Sequence, residues 1–220
     1  MLKSAELLQP SRTRWPSRDN SARQGIISRY GGLPDLWESS PRRFEDNRSH
    51  TAEIIDQLFN ENDLLCCGWN LTRFATKRRE EWRHKLYKMQ FIVPSPMLSR
   101  EGITAVGKRS EHTLRNTGPR RFLVIEFDDG TIDEHASLLL HLATYAPLAV
   151  AAHSGGKSLH GWFYCANQVE TRLRKFMAYA ISLGADAATW SRSQFVRMPD
   201  GRRPTGPRQP AYFFNPDIVR

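Results

Sequence analysis

Between Arg121 and Met198 the spacing of apolar residues changes from strand to helix and back in a fixed order. Arg121 to Asp128 reads as a strand, and Ile132 to Tyr145 places Leu138, Leu139, Leu142 and Tyr145 at helical spacing. Leu148 to His153 and His160 to Cys165 are two further strands. Glu170 to Leu183 sets Leu173, Phe176, Met177, Ala180 and Ile181 on one helical face and stops at Gly184, and Gln194 to Met198 is a fourth strand.

The order β-α-β-β-α-β predicts an α+β fold: an RRM or ferredoxin-like core over residues 119–220, with an antiparallel sheet, two helices on one face and the other face open. Ahead of it, residues 50–118 read as an N-terminal α/β module. Thr51 to Asn60 is helical, Leu64 to Leu71 is a strand, Lys77 to Lys88 is a basic helix, Phe91 to Val93 is a strand stopped by Pro94, and Ser99 to Gly118 is loop-rich. Residues 1–49 are rich in Arg, Ser, Pro and Gly with few periodic apolar positions, which predicts a loose basic arm.

The chain is long and apolar enough for a real core, with 220 residues of which 40% are hydrophobic. Its 32 Lys and Arg against 23 Asp and Glu give a net charge of +9, which favours phosphate-bearing partners. Cys66, Cys67 and Cys165 form no Cys-x-x-Cys pair, so no zinc ribbon is expected and the thiols read as reduced. The N-terminus lacks the apolar core of a secretion signal, and no window has the roughly 18 apolar residues of a membrane span. These features predict a cytoplasmic protein with no membrane partner.

The chemistry-bearing residues cluster in the second half. In Leu123-Val124-Ile125-Glu126-Phe127-Asp128 the strand alternation sends Glu126 and Asp128 to the same face. Two carboxylates so close suit a hard divalent cation such as Mg²⁺, which takes oxygen ligands and keeps positions open for nucleotide phosphates. In Ser154-Gly155-Gly156-Lys157-Ser158-Leu159-His160 the glycines let backbone N–H groups approach an anion, and Lys157, Ser158 and His160 all donate to phosphate. On an extended segment Ser158 and His160 point the same way. A Walker A loop needs a further glycine where Ala151 stands, and the segment leads into a strand and not a helix.

These residues resemble the catalytic core of the archaeo-eukaryotic primase (AEP) superfamily, in particular its phage, plasmid and large-DNA-virus primase-polymerase branch. The acid-x-acid of its first motif is similar to Glu126-Phe127-Asp128, the Ser-x-His of its second to Ser158-Leu159-His160, and the acid of its third to Asp186 in Gly184-Ala185-Asp186. The resemblance covers roughly Leu64 to Pro216. Glu126 stands where many members have Asp, and both residues ligate metal.

The resemblance implies a DNA primase or primase-polymerase, a nucleotidyltransferase acting in DNA replication with Mg²⁺ or Mn²⁺ as cofactor. Glu126, Asp128 and Asp186 would hold the metal, and His160 would join them in catalysis. Lys157, Ser158 and His160 would bind the nucleoside triphosphate (NTP or dNTP), and Arg197 and Arg202 would contact phosphate or single-stranded DNA template. Lys77, Arg78, Arg79 and Trp82 are a weaker candidate for gripping template. The sequence carries no ATPase motif, so a replicative helicase partner would be another domain or protein. The alternative is a non-catalytic RRM-like nucleic-acid-binding module displaying Trp162 and Tyr164 on its open sheet face, although the basic-Gly-aromatic-Gly signature of such modules is missing. A rolling-circle nickase would need a His-apolar-His triplet, which none of the seven histidines forms.

Overall fold

In the computed structural model, residues 14–45, 47–203 and 207–219 are described. The first half holds helices α1 (Asn20–Ile27), α2 (Leu33–Glu38) and α3 (Thr51–Leu58), strands β1 (Leu64–Gly68) and β2 (Phe74–Arg78), and the single turn α4 (Arg79–Trp82). The short strands β3 (Phe91–Ile92), β4 (Gly102–Ile103) and β5 (Arg109–Ser110) complete it. The second half runs β6 (Phe122–Glu126), α5 (Ile132–Ala143), β7 (Leu148–His153), β8 (Leu159–Tyr164), α6 (Glu170–Ser182), β9 (Val196–Arg197) and β10 (Ala211–Phe214).

The strands form two four-stranded antiparallel sheets, ordered β2-β1-β3-β9 and β10-β7-β8-β6, and a separate β4-β5 hairpin. Strand β6 shows why they stack. Leu123, Ile125 and Phe127 pack into a core with α5 and α6, whereas Phe122 and Val124 pack into a second core with α3, β1 and Trp82. Alternate residues on one strand thus feed two cores, as the period of 2 requires.

Two features of the expected RRM-like arrangement are corrected. The β6-β8-β7 order matches it, but the fourth strand does not join that sheet: β9 pairs with β3 in the other sheet, and β10 takes the place beside β7. On the edge of β6 away from β8, the described residues form the isolated bridge Phe127 to Ala185 in place of a strand. The sheet face expected to be open is covered by the N-terminal half, so Trp162 is 0% exposed and sits in the core between the sheets.

The basic arm is likewise corrected over its described part. Helices α1 and α2 pack on α5, with Ile26 and Leu36 buried in the same core as Leu138, Leu139 and Leu142. Helix α5 is buried nearly all round because it lies between the sheet and these helices, which its apolar content allows. Thr131 and Glu134 close its first turn in a capping box. The expected arm residues 1–13 lie outside the described residues. The expected basic helix from Lys77 to Lys88 is instead strand, single turn and 3₁₀ turn, and Trp82 is 0% exposed with its indole N–H donating to the Leu65 carbonyl at 2.9 Å. Its role is packing, and it has no free face for stacking on a base. The loop-rich stretch from Ser99 to Gly118 carries the β4-β5 hairpin.

All three cysteines are free and buried, and burial pushes the Cys66 and Cys165 thiols up to about 12. Among the described residues no helix is long and apolar enough to cross a membrane.

Phe122 joins the two halves, meeting Phe59 edge-on at 5.7 Å and Trp162 at 5.5 Å while 1% exposed. Phe122→Ala is therefore expected to cost about 3–5 kcal/mol in urea unfolding. Tryptophan fluorescence and circular dichroism should still report one coincident transition, because the same strand serves both cores.

Candidate active site

The site lies where β6 and β8 run out of apolar residues. Glu126 stands directly opposite His160 in the antiparallel register, so the two side chains share a face. The face is the one that carries Phe122 and Val124 further along the strand. His160 is 3% exposed and its Nε2 is 3.1 Å from Glu126 Oε1, although neither ring nitrogen has a hydrogen-bond partner among the described residues. The Ser158 hydroxyl donates to the same Oε1 at 3.2 Å. The expectation that Ser158 and His160 project together holds in this geometry.

Asp186 reaches the site from a distant segment by backbone pairing. Its N–H donates to the Glu126 carbonyl at 2.9 Å, next to the Phe127–Ala185 bridge, so the third acid is tied to the strand that carries the first. The Asp186 carboxylate also accepts the Ala188 N–H at 2.9 Å, capping the 3₁₀ turn Ala187–Trp190. Asp128, exposed just beyond the strand, completes the group.

The electrostatics show that the acids feel one another. Although Asp128 is exposed, loss of part of its hydration against the neighbouring protein is the largest influence raising its carboxyl, and the charges of Glu126 and Asp186 raise it further against the pull of Lys157. Glu126 goes the other way: burial alone would raise it, but His160, the Ser158 hydroxyl and the Arg197 charge together hold it below the usual carboxylate range. One carboxylate is thus kept ionised while its neighbour resists ionisation, a pattern relieved by a cation.

The donor set of hard oxygens fits Mg²⁺ or Mn²⁺. Among the described residues no three His, Cys, Asp or Glu side chains stand close enough together to hold one ion. Mg²⁺ is commonly held by one or two carboxylates, with water and substrate phosphate supplying the rest, so the fit is with a nucleotide-completed site and not with a prebuilt cage.

The glycine turn differs from the cradle its sequence suggests. The Gly156 and Ser158 N–H groups donate to the Ser154 hydroxyl at 3.3 and 3.2 Å, and the Gly155 N–H donates to His153 Nδ1 at 3.2 Å. These backbone donors serve the turn itself, leaving the side chains of Lys157, Ser158 and His160 as the groups for an anion. Lys157 is exposed and lies close enough to Asp128 to act on its charge.

The two arginine candidates separate. Arg197 lies over the Phe91 ring at 4.5 Å, with its charge felt at Glu126. Arg202 lines a different pocket with Arg48, Ser49, Tyr87 and Arg208. Its neighbour Arg203, missed in the sequence, lies on the glycine turn with Nε donating to the Ser154 carbonyl at 3.1 Å. The signal was the Gly201-Arg202-Arg203 pair, in which spacing does not tell which arginine faces the turn. His153 was also missed: its ring caps the turn, and its buried Nε2 has no partner among the described residues.

Two nearby acids are set apart. Asp129 is paired with Arg18 at 2.9 Å, and Asp200 is buried at 3% exposure, held by Arg208 at 2.8 and 3.0 Å.

No family model matches the chain, and no curated protein matches it. Among solved structures, the AEP domain of the cyanophage S-2L primase-polymerase (PrimPol) is similar, at 14% sequence identity and a TM-score of 0.47, covering 75% of this chain and 91% of that one.

Because the Asp128 carboxyl is raised in the folded state, it binds its proton more tightly there than in the unfolded chain. Its contribution to stability is present below the ordinary Asp range and is lost as pH rises through the raised value. Asp128→Asn should therefore melt at a higher temperature than the natural chain at neutral pH. That difference should vanish in acid, as followed by thermal melts across a pH series.

Proposed function

We propose that this chain is a metal-dependent nucleotidyltransferase of the primase or primase-polymerase kind, joining nucleoside triphosphates to a 3′-hydroxyl on a single-stranded DNA template. The observation that carries the reading is the meeting of Glu126, Asp128, Asp186, Ser158 and His160, from three separate segments, at one end of β6 and β8. The acids attract a cation, and the hydroxyl, imidazole and Lys157 beside them suit a triphosphate.

In this reading Glu126, Asp128 and Asp186 would share Mg²⁺ or Mn²⁺ with nucleotide phosphate and water, with no more than two of the carboxylates on any one ion before the nucleotide binds. Such an ion would supply charge neutralisation at the α-phosphate and at the departing pyrophosphate, and would ease deprotonation of the attacking 3′-hydroxyl. Ser158, His160 and Lys157 contact the β- and γ-phosphates. His160 and Arg197 keep Glu126 ionised, so it remains an acceptor-only group facing the cation. Arg203 braces the glycine turn, and Arg202, in its separate pocket, contacts template outside the reacting centre. The burial of Trp162, with Tyr164 half-buried against the same core, argues against the binding-module alternative, which needs both rings displayed for stacking.

The test is incorporation of labelled nucleotides on single-stranded template with Mg²⁺ or Mn²⁺, with and without a primer. Product should form, and Asp128→Ala or Glu126→Ala should reduce it by about 10²-fold or more, the scale of losing one group that stabilises transition-state charge, with His160→Ala also impaired. Full activity in these variants, or template binding with no incorporation under any condition, would overturn the assignment.

A further inference from the structure

Arg23, on the short helix α1, is 2% exposed, an unusual place for a guanidinium. Its NH1 donates to the Leu183 carbonyl at 2.9 Å and its NH2 to the Asp129 carbonyl at 2.7 Å. Leu183 lies three residues before Asp186, and Asp129 follows Asp128. The ring of Phe127 lies under the guanidinium at 5.5 Å, and Glu134 is 3.6 Å away as its counter-charge. One planar group from a remote helix thus bridges the two loops that carry Asp128 and Asp186.

Both loops are shaped to admit it. Gly130 and Gly184 have φ of +110° and +98°, a region that disfavours side chains. A Cβ at Gly130 would stand 2.7 Å from Arg23 NH2, and one at Gly184 would stand 3.3 Å from Arg23 NH1. Arg18 adds to the strut by pairing with the Asp129 carboxylate at 2.9 Å. His135 Nε2–H donates to the same Asp129 carbonyl at 3.0 Å.

We propose that Arg23 is a positioning residue for the acidic site, fixing the separation of the Asp128 and Asp186 loops against the repulsion of their carboxylates. This rests on the reading of these acids as cation ligands. Because Arg23 bonds carbonyls and not the two carboxylates, it holds the loops without neutralising the groups that must face the cation. The fork is essential: two N–H directions fixed in one plane reach both carbonyls, which a lysine ammonium on a flexible stem does not reproduce.

The experiment measures Mn²⁺ binding by electron paramagnetic resonance, with a non-hydrolysable nucleoside triphosphate, for the natural chain, Arg23→Lys and Asp128→Asn. Thermal melting and hydrogen exchange at the Asp186 amide accompany it. Arg23→Lys should melt in one transition, bind Mn²⁺ about tenfold more weakly and exchange the Asp186 amide faster, while Asp128→Asn loses Mn²⁺ with that amide still protected. An Arg23→Lys protein that binds Mn²⁺ as the natural chain does overturns the proposal. So does one that fails to fold, since Arg23 would then be a general support of the core. Absence of Mn²⁺ binding by the natural chain overturns the cation-site reading instead, and the Asp186 exchange rate then decides by itself whether Arg23 holds the loops.

Discussion

Strand β6 is the constraint on which the rest depends. Its side chains are wanted on both faces, by the helices on one side and the second sheet on the other. When the apolar alternation ends at Glu126, the same period that built two cores puts a carboxylate on the inter-sheet face, opposite His160. A carboxylate in that position is costly unless it is paired or hydrogen-bonded, and Ser158 and His160 are the groups within reach. The site is therefore a continuation of the core's own geometry, placed where packing gives way to solvent.

Around that strand the acids are brought together by backbone and by buried arginine, not by mutual attraction. The Asp186 amide bonds the Glu126 carbonyl, and Arg23 spans the two loops. Desolvation first, and then repulsion from Glu126 and Asp186, raises Asp128, and that repulsion is the stress this framework resists. Charge of one sign is gathered locally at some cost in stability, as is common at functional sites.

The sequence made some of this legible and hid the rest for identifiable reasons. Glu126 faces His160 because the β6–β8 register pairs them, and the Ser158 hydroxyl reaches the same carboxylate, whereas Asp128 lies beyond the end of β6, where strand alternation no longer places it. The β6-β8-β7 core followed from long, clearly periodic segments. Strand β9 is two residues long, and periodicity says nothing about which edge such a strand joins, so its place in the other sheet was not readable. Helices α1 and α2 have eight and six residues with few apolar positions, and they are held by α5 and not by their own patterning. Trp82 beside basic residues reads equally well as a stacking ring or a core ring, and only the fold distinguishes them. The glycine turn was recognised as a turn, but its internal bonding through Ser154 and His153 depends on side-chain placement that spacing does not encode.

On the proposed function, the ends of β6 and β8 and the Ala185 bridge form one cation and triphosphate site. The most direct measurement is paramagnetic broadening of backbone amide resonances on titrating Mn²⁺ into the chain with a non-hydrolysable triphosphate. Broadening centred on residues 126–128, 158–160 and 186, with amides around Arg202 and Tyr87 spared, is the result expected. Broadening centred on the Arg202 pocket, or uniform across the surface, would contradict the account.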